Sequence, residues 1–409
     1  MAELAINGGT PVRTKPWPAW PEWDEREVEA VAEVIRSGRW GGFPEPGPKA
    51  AEFAERFAAF QGAKYGIAMA NGTVTLSVAL QACGISWGDE VLVPGCTFVA
   101  TASAVLAVGA VPIIVDVDPE TFCIDVAKAR EAITERTRAI IPVHLGMSMA
   151  DEDALMALAS EHNLIVIEDC AHAHGLQWNG RGAGTFGQFG SFSLQSGKLL
   201  TSGEGGILIT NDRKLAEAAH SIIDCGRPKD PEGKEYHLGS NYRITELQAA
   251  LLCAQMDRLE QQIARRIPNI AYLDAQLSQI DGIRVQKAPA QVGRRSGFNY
   301  LFVFDRDKFS GIDNATFCMA MAAEGLPAAD TGYEPMNDYS LFRPTPQNCP
   351  VMAAFGSRMN LHKVRLPVSE MLGKAGVWLE HYIFLGTKED MDDVVAIVRK
   401  IREHAWELG

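Results

Sequence analysis

The stretch RAIIPVHLGMSMADEDALMALASEHNLIVIED (138–169) places a helical segment between two short apolar runs. The runs RAIIPVH (138–144) and LIVIED (164–169) predict strands buried on both faces, and DEDALMALASEHN (151–163) predicts the helix between them. Strand, helix and strand in this order are typical of a parallel unit with a crossover helix. The stretch therefore indicates an α/β protein with a mainly parallel sheet covered by helices.

The same alternation continues on both sides of this unit. Further strands are predicted at GDEVLVPG (88–95), VPIIVDVD (111–118), FGSFSL (189–194) and GGILITN (205–211). Helices are predicted between them at 73–83, 100–109, 125–133 and 213–223. Upstream, residues 1–23 predict an arm packed on the surface, and Asp24 begins a helix with Val28, Val31 and Ile35 on one face.

The rest of the chain predicts a second, smaller domain. A polar loop at 227–241 precedes a helical stretch that runs from about Thr245 past Arg266, is interrupted at Pro268 and links two lobes. Beyond it, the strand YLFVF (300–304) mixes with helices at 314–325 and 389–405. We expect an arm and a large domain at 1–265, and a small α+β domain at 266–409.

Composition narrows the class of protein. The chain has 409 residues, a formal net charge of −13 and no long basic block, which excludes nucleic-acid binding as its main role. It has neither the roughly 18 consecutive apolar residues of a membrane helix nor the apolar core of a signal peptide. Its eight cysteines lie apart, without metal-ligand spacing. We expect a cytoplasmic enzyme with reduced thiols, no metal and no membrane association.

Polar residues follow several of the predicted strands, where ligands bind in open α/β sheets. Asn71-Gly72-Thr73 begins a helix and would present free backbone N–H groups and a hydroxyl to an anion. Asp169 ends a strand, Ser193 and Lys198 lie in a small-residue segment, and Asn241 precedes the long helix. Each alone is ordinary for a cap, a turn or a surface charge. Together, a phosphate cradle, an acid and a lysine are what a pyridoxal-phosphate enzyme needs.

Six segments resemble the StrS/DegT family of pyridoxal-phosphate-dependent sugar and cyclitol aminotransferases. They are ANGTVTLSVAL (70–80), VLVPGCTFVATA (91–102), VPIIVDVDPETFCID (111–125), IEDCAHAHG (167–175), SFSLQSGKLLTSGEGGILIT (191–210) and GSNYRITELQAALL (239–252). The patterns Asp-x-Ala-x-Ala-x-Gly and Ser-x(4)-Lys-x(5)-Glu-Gly-Gly carry most of the likeness. The resemblance covers about 1–265 and continues less specifically to the C-terminus. It implies the fold-type-I architecture of pyridoxal-phosphate enzymes.

The resemblance also implies roles for individual residues around pyridoxal 5'-phosphate. Lys198 would form the Schiff base and move the proton, which requires a neutral amine. Asp169 would pair with the pyridine nitrogen. His172 matches a residue near the cofactor ring, and Phe98 matches the aromatic that stacks on the ring.

Other positions of the resemblance concern the phosphate and the substrate. Gly72, Thr73 and Ser193 would hold the phosphate from one subunit. Asn241 matches a residue contributed across a dimer interface, which implies a homodimer with shared active sites. Tyr333 and His381 lie in segments where relatives often contact substrate. Many members read VHLYG where this chain has VHLGM (143–147), so a tyrosine contact is missing there.

Two branches of the family look most similar. The glutamine-dependent scyllo-inosose aminotransferases share LAINGGTPVRTKPWPAWP (4–21), and the 3-amino-5-hydroxybenzoate synthases share CGRPKD (225–230) and FSLQSGKLLTSGEGG (192–206). We expect transfer of an amino group from L-glutamine or L-glutamate to a ring ketone of a cyclitol or sugar, in aminocyclitol or aminosugar antibiotic biosynthesis. Dehydration and aromatisation of an aminated ring is the alternative, and a pyridoxal-phosphate-binding regulator is a third.

The acceptor stays open at this stage. A nucleotide-linked sugar needs cations outside the cofactor site, and such cations are available at Arg227, Lys229, Arg294 and Arg295. All four can equally be solvated loop charges. The sequence therefore leaves both a free cyclitol and a nucleotide sugar as acceptors.

Overall fold

The computed structural model describes residues 3–43, 45–228, 237–342, 349–356, 358 and 364–409. The strands are β1 (Tyr65–Met69), β2 (Glu90–Pro94), β3 (Val111–Val115), β4 (Thr137–Ile140), β5 (Ile165–Asp169), β6 (Gln177–Trp178), β7 (Arg181–Gly182), β8 (Phe189–Ser193), β9 (Gly206–Thr210), β10 (Ile283–Val285), β11 (Val292–Arg294), β12 (Tyr300–Phe304), β13 (Ala329–Asp330) and β14 (Gly376–Leu379). The α-helices are α1 (Glu25–Ser37), α2 (Pro48–Gln61), α3 (Gly72–Ala82), α4 (Ala100–Ala107), α5 (Val126–Ala132), α6 (Glu152–His162), α7 (Arg213–Ile223), α8 (Glu246–Leu277), α9 (Asn314–Ala323), α10 (Pro350–Phe355), α11 (Pro367–Ala375) and α12 (Lys388–His404).

The central sheet has seven strands in the order β1-β9-β8-β5-β4-β2-β3. The pairs from β8 through β5, β4 and β2 to β3 are parallel, whereas β9 runs antiparallel to both of its neighbours. This confirms the predicted α/β class and the mainly parallel sheet. The parallel strands place their carboxyl ends along one edge, which is the edge where the polar segments follow.

Helices cover both faces of this sheet because its strands are apolar at successive positions. Leu208 of β9 belongs to the core that includes α3, α4 and α7. Its neighbours Ile207 and Ile209 point the other way, into the core formed with α2 and α8. A further core joins the middle of the sheet to Leu155 and Leu158 of α6. Burial on both faces explains why these strands lack the polar alternation of a half-exposed sheet.

A second sheet, β10-β12-β14-β13, is antiparallel throughout and packs against α9 and α12. Helix α8 connects the two parts of the chain. Because α8 runs unbroken from Glu246 to Leu277, it crosses the predicted boundary between 265 and 266. The division into domains at 1–265 and 266–409 therefore stays a prediction.

The predicted interruption at Pro268 does not occur, since this residue lies inside α8. A proline in a helix interior costs about 3 kcal/mol. Tertiary contacts on both sides offset that cost. Asn269 donates to the carbonyl oxygens of Phe384 (3.0 Å) and Gly386 (2.9 Å), and Ile263 and Ile270 are buried in two different cores. Sequence propensity alone could not show these contacts.

The N-terminal arm and α1 form as expected, but the apolar face of α1 is not covered. Asp24 and Glu27 make a reciprocal capping box at the start of the helix. Val28 and Ile35 nevertheless keep about half of their surface exposed, at 48% and 54%. Part of the predicted loop at 227–241 (residues 229–236) lies outside the described residues. Among the described residues, no helix is both long and apolar enough to span a bilayer.

The arm is held by a buried arginine, which yields a prediction about stability. The Nη1 atom of Arg13 lies 2.7 Å from carboxylate oxygens of both Asp390 and Asp393, in a nearly dry environment. Arg13→Ala removes the buried cation from both carboxylates and leaves them the exposed Lys15, whose Nζ lies 2.9 Å from Asp390, so we expect the free energy of unfolding to fall by about 3 kcal/mol. The measurement is urea denaturation followed by circular dichroism.

The matched control is Arg36→Ala, which removes an exposed ion pair to Glu29. Exposed pairs contribute about 0–1 kcal/mol. Equal losses in the two variants would contradict a structural role for the Arg13 contacts.

Candidate active site

A cavity of about 680 Å³ lies at the carboxyl ends of β5 and β8. The starts of α3 and α4 form one side, and the edge of the small sheet at β13 and β14 forms the other. Eight of the predicted site residues line it: Gly72, Thr73, Phe98, Asp169, His172, Ser193, Lys198 and Tyr333. A second cavity of about 370 Å³, beside α2 and α7, contains none of the predicted site residues.

Lys198 lies in the segment that follows β8, with its amine inside the large cavity. The backbone N–H of Lys198 donates to the Gln195 carbonyl (2.8 Å), and its Nζ lies 4.0 Å from the centre of the Phe298 ring. Among the described residues, this amine has no hydrogen-bond or ion-pair partner. Burial lowers the pKa of Lys198 to about 8, while the Asp169 and Glu380 carboxylates act in the opposite direction. Near neutral pH a larger fraction of this amine than of an ordinary lysine is therefore in the neutral, reactive form.

Asp169 is buried at the end of β5, facing the same cavity. Its Oδ2 accepts from the Thr101 hydroxyl (2.8 Å) and its Oδ1 accepts from the Ala171 N–H (3.2 Å). Burial raises the pKa of Asp169, whereas these two hydrogen bonds and the Lys198 charge lower it. The carboxyl group is thus poised to share a proton with a basic nitrogen placed in the cavity.

A buried polar layer beneath Asp169 holds the end of β5 in place. The backbone N–H of His144 donates to the Asp169 carbonyl (3.1 Å), and the ring Nε2 of His144 lies 3.1 Å from the Glu168 carboxylate. The Glu168 carboxylate also accepts three backbone N–H groups, from 184, 186 and 187. Burial, followed by the Glu168 charge, raises the pKa of Glu152 in this layer well above its usual value. The layer positions Asp169 through the backbone rather than by touching the cavity.

His172 forms the aromatic wall of the cavity together with Phe298 and Tyr333. Its Nδ1 accepts from the Gly146 N–H (3.3 Å), so Nε2 carries the proton of the neutral ring and faces the Tyr333 hydroxyl at 3.2 Å. The ring centre of Phe298 lies 4.5 Å from that of His172. Burial, and then the charge of Lys198, lower the pKa of His172 well below its usual value. This wall is therefore neutral at physiological pH.

The start of α3 differs in one respect from the sequence prediction. The Asn71 side chain caps the helix and accepts from the N–H groups of Thr73 (3.1 Å) and Val74 (3.0 Å), so these donors are not free. Gly72 lies tightly against Ser193: a Cβ atom at Gly72 would come within 2.6 Å of the Ser193 Cβ. The cradle for an anion therefore consists of the helix terminus and the hydroxyls of Thr73 and Ser193.

Phe98 belongs to the cavity wall rather than to the core, with 53% of its surface exposed. Its ring lies 5.9 Å from that of Tyr333, centre to centre. An exposed aromatic ring at the mouth of a cavity provides a face on which a planar ligand can stack.

Two predicted residues do not reach the cavity. Asn241 is exposed and forms an isolated bridge with Asp224. His381 is completely buried, so its predicted substrate contact is not supported by its position. Its Nδ1 lies 3.0 Å from Nη2 of Arg266, and its Nε2 lies 2.9 Å from the carbonyl of Gly197, the residue before Lys198. His381 lies in a segment where relatives often contact substrate, but packing against Arg266 and Gly197 buries its ring.

Several cavity residues carried no signal in the sequence. Asp330 lies on the edge strand β13 and Glu380 directly follows its neighbour β14, and no sequence motif marks either position. Phe298 and Trp378 resembled ordinary core residues. Thr101 lies in the segment VLVPGCTFVATA (91–102), and only its hydrogen bond to Asp169 distinguishes it from its neighbours.

None of the three candidate cations for a nucleotide that the structure describes lines the cavity. Arg227 pairs with Asp224, Arg294 with Glu260, and Arg295 with Asp274. Lys229 lies outside the described residues. Lys198 is thus the one Lys or Arg side chain among the described residues that line this cavity.

Comparison with known proteins places the chain among aminotransferases. The profile of the DegT/DnrJ/EryC1/StrS aminotransferase family matches residues 21–399. A protein of Streptoalloteichus tenebrarius, provisionally named L-glutamine:3-amino-2,3-dideoxy-scyllo-inosose aminotransferase, is 42% identical over 411 residues, covering 98% of each chain. The L-glutamine:2-deoxy-scyllo-inosose aminotransferase of Micromonospora echinospora is 41% identical over 424 residues, covering 100% of both.

Solved structures of the same kind are also similar. The crystal structure of 3-amino-5-hydroxybenzoic acid synthase superposes with a TM-score of 0.84 at 30% identity, covering 97% of this chain and 100% of that one. The structure of DesI in the presence of its TDP-sugar product gives a TM-score of 0.82 at 25% identity, covering 99% and 98%.

The environment of Lys198 predicts an unusual titration. In protein freed of bound small molecules, we expect Lys198 to react with acetic anhydride along a curve centred near pH 8, because burial disfavours its ammonium form. Ordinary lysines titrate at about 10.4. Asp169→Asn removes a charge that stabilises the ammonium, so the midpoint falls further. Competitive labelling followed by peptide mass spectrometry measures the midpoint in the wild type and in Asp169→Asn. The exposed Lys287, labelled in the same experiment, is the control for the reactivity of the reagent. An unshifted Lys198 would contradict this account of the cavity.

Proposed function

The chain belongs to the DegT/DnrJ/EryC1/StrS aminotransferase family, and from that premise we propose that it transfers an amino group from L-glutamine to the ring ketone of a cyclitol, using pyridoxal 5'-phosphate. The observation that carries the proposal is the buried Lys198 amine, which shares one cavity with the buried Asp169 carboxyl. In the same reaction, L-glutamate is the alternative donor and a ketosugar is the alternative acceptor.

The residues present fit the cofactor. Asp169 offers a buried carboxyl for the pyridine nitrogen, and His172 and Phe98 offer faces for the ring. Thr73 and Ser193 offer hydroxyls to the phosphate at the start of α3, where the helix dipole favours an anion. Pyridoxal phosphate supplies an electron sink for the pair released when a C–H bond beside nitrogen breaks.

Lys198 performs the proton transfer in this proposal. Its amine must be neutral to take a proton from the carbon that bears nitrogen, and its pKa near 8 makes a substantial neutral fraction available. In the opposite half-reaction, the same nitrogen returns a proton to the carbon of the former ketone. Asp169 would place its carboxylate beside the pyridine nitrogen of the cofactor and so favour the protonated ring.

The cyclitol acceptor rests on two supports. The similar curated proteins are named for glutamine and scyllo-inosose substrates. In addition, the cavity offers no arginine or second lysine among its described residues, whereas a nucleotide diphosphate is ordinarily recognised by such cations. Both supports favour a free cyclitol over a nucleotide sugar. The expected biological setting is aminocyclitol antibiotic biosynthesis.

A homodimer with shared sites completes the proposal. Asn241 is exposed and does not line the cavity of its own chain, as expected of a residue that serves a partner's site. An apolar surface formed by Trp23, Val28, Val31 and Ile35 is open to solvent and available for burial against a second copy.

A spectroscopic experiment tests the proposed reaction. Protein loaded with pyridoxal phosphate is expected to show a visible absorption band that L-glutamine bleaches and a scyllo-inosose ketone restores, because the amino group passes through the protein between two half-reactions. Lys198→Ala should abolish the turnover, since no other described cavity amine can take its place. Lys198→Arg is the control that keeps the charge.

The outcomes separate the alternatives. A band that ignores both glutamine and glutamate would overturn this donor assignment and favour the dehydrating chemistry of the benzoate synthase branch. Absence of any band would overturn the cofactor assignment and favour a non-catalytic role.

Mixing two inactive variants tests the shared site. If Asn241 serves the partner's cavity, a mixed dimer of Lys198→Ala and Asn241→Asp subunits contains one site with both native residues. Random reassociation should then restore about a quarter of the wild-type sites. The measurement is turnover after co-refolding the two variants. No recovery above the sum of the separate activities would contradict the shared site.

A further inference from the structure

The turn at residues 195–198 carries the Lys198 amine, and this amine does not fix its own position. Among the described residues it has no hydrogen-bond or ion-pair partner, and its Nζ rests against the Phe298 ring, 4.0 Å from the ring centre. Its place in the cavity therefore depends on the backbone of the turn. That backbone includes Gly197, which lacks a Cβ atom and allows many orientations of its peptide groups. Contacts from outside the turn are needed to hold one conformation.

Two ring N–H groups from distant parts of the chain hold this turn. The indole Nε1 of Trp20, in the N-terminal arm, donates to the Ser196 carbonyl (3.0 Å). The Nε2 of His381, shortly after β14, donates to the Gly197 carbonyl (2.9 Å). Two consecutive carbonyl oxygens of the turn are thus each bonded to a segment outside it. Because rotation of either peptide group would break one of these bonds, the two donors favour the conformation that directs Lys198 into the cavity.

A row of packed rings connects Trp20 to the amine by a second route. The Trp20 ring lies edge-on to the His381 ring, with 4.5 Å between the ring centres. The His381 ring lies 5.6 Å from the Phe298 ring, which in turn contacts the Lys198 amine. Both separations fall in the range of favourable aromatic pairs. Trp20 does not line the cavity, so it reaches Lys198 only through these neighbours and the turn.

A second tryptophan of the same arm makes the same kind of bond elsewhere. The indole Nε1 of Trp17 donates to the Gly325 carbonyl (2.7 Å) just after α9, and Gly325 does not line the cavity. Both indoles are partly exposed. Trp17 therefore fixes the arm to the end of α9, whereas Trp20 fixes it to the turn that carries Lys198. The two residues separate anchoring of the arm from positioning of the amine.

We infer that Trp20 is a positioning residue for Lys198, so that the N-terminal arm completes the active site instead of only covering the surface. The inference rests on the proposed function for the role of Lys198 in proton transfer, but the position of the amine can be measured without that reaction.

Loss of the Trp20 hydrogen bond has two expected consequences for Lys198. The turn gains freedom, so a smaller fraction of molecules holds the amine in the direction that proton transfer requires. The amine is also less well shielded from water. Because burial is what lowers the pKa of Lys198, weaker shielding raises this pKa toward the value of an ordinary lysine.

Trp20→Phe tests the inference, because it removes the N–H, keeps an aromatic ring beside His381 and leaves the Asp169 and Glu380 carboxylates near the amine unchanged. In the full-length protein freed of small molecules, competitive labelling should show the Lys198 midpoint rising from about 8 by roughly half a pH unit or more. Hydrogen exchange followed by mass spectrometry should show faster exchange in the peptide that contains residues 195–198. Trp20→Leu also removes the ring contact, and it should enlarge both changes.

The half-reaction with L-glutamine gives a second readout in the holoenzyme. In Trp20→Phe, the maximal rate at which L-glutamine bleaches the visible band should fall by about 3- to 10-fold, the size expected for one hydrogen bond. The glutamine concentration that gives half of this rate should change by less than about twofold, because Trp20 does not line the cavity. A loss of this form separates positioning of the base from binding of the donor.

Trp17→Phe is the matched control, since it removes an indole N–H from the same arm. It should weaken the attachment of the arm and leave three quantities unchanged: the Lys198 midpoint, the exchange of residues 195–198 and the rate with L-glutamine. Urea denaturation of every variant establishes that folded proteins are compared.

Two results would overturn the inference. One is an unchanged Lys198 midpoint together with unchanged exchange of the turn in both Trp20 variants. The other is a change of equal size in Trp17→Phe, which would assign the effect to a general loosening of the arm. If L-glutamine does not bleach the band of the wild-type holoenzyme, the proposed function is overturned instead, and labelling and exchange still decide the role of Trp20.

Discussion

The burial of the Lys198 amine beside the Asp169 carboxyl is the constraint around which the rest of the site is arranged. Removing an ammonium from water lowers its pKa, and the Asp169 and Glu380 carboxylates in the same cavity limit how far it falls. The neutral His172 wall adds no competing charge, since its Nδ1 is occupied by a backbone N–H and its burial disfavours protonation. The cavity thereby contains a base whose pKa lies at about 8.

This arrangement depends on elements that never touch the cavity. The His144 and Glu168 layer fixes the end of β5, and with it Asp169, through backbone hydrogen bonds. On the other side, Arg266 and His381 hold the Gly197 carbonyl, one residue before Lys198. Both supports are fully buried polar groups, which tolerate few alternative positions because an unsatisfied partner in the interior is costly. Burying these polar groups costs free energy of folding, and their contacts fix the positions of Asp169 and Lys198.

Large parts of the fold and the site could be predicted from residues that lie close together in the chain. The apolar runs predicted six of the seven strands of the central sheet, all but β1, and the two spaced patterns around Asp169 and Lys198 predicted which residues share the cavity. The sequence could not show what contacts between distant segments decide. Pro268 stays helical because Asn269 bonds to a turn over a hundred residues away, and His381 points inward because Arg266 and Gly197 claim its two nitrogens.

The sequence alone thus determined the fold class, the family likeness and the order of lysine, acid and phosphate-binding residues, because each depends on local periodicity or short spacing. Tertiary structure alone decided which charges face the substrate. Arg227, Arg294 and Arg295 are paired elsewhere, whereas Asp330 and Glu380 enter the cavity through the pairing of β13 with β14. A charge acts on a ligand through space, and its place in space is set by strand pairing and packing between residues far apart in sequence.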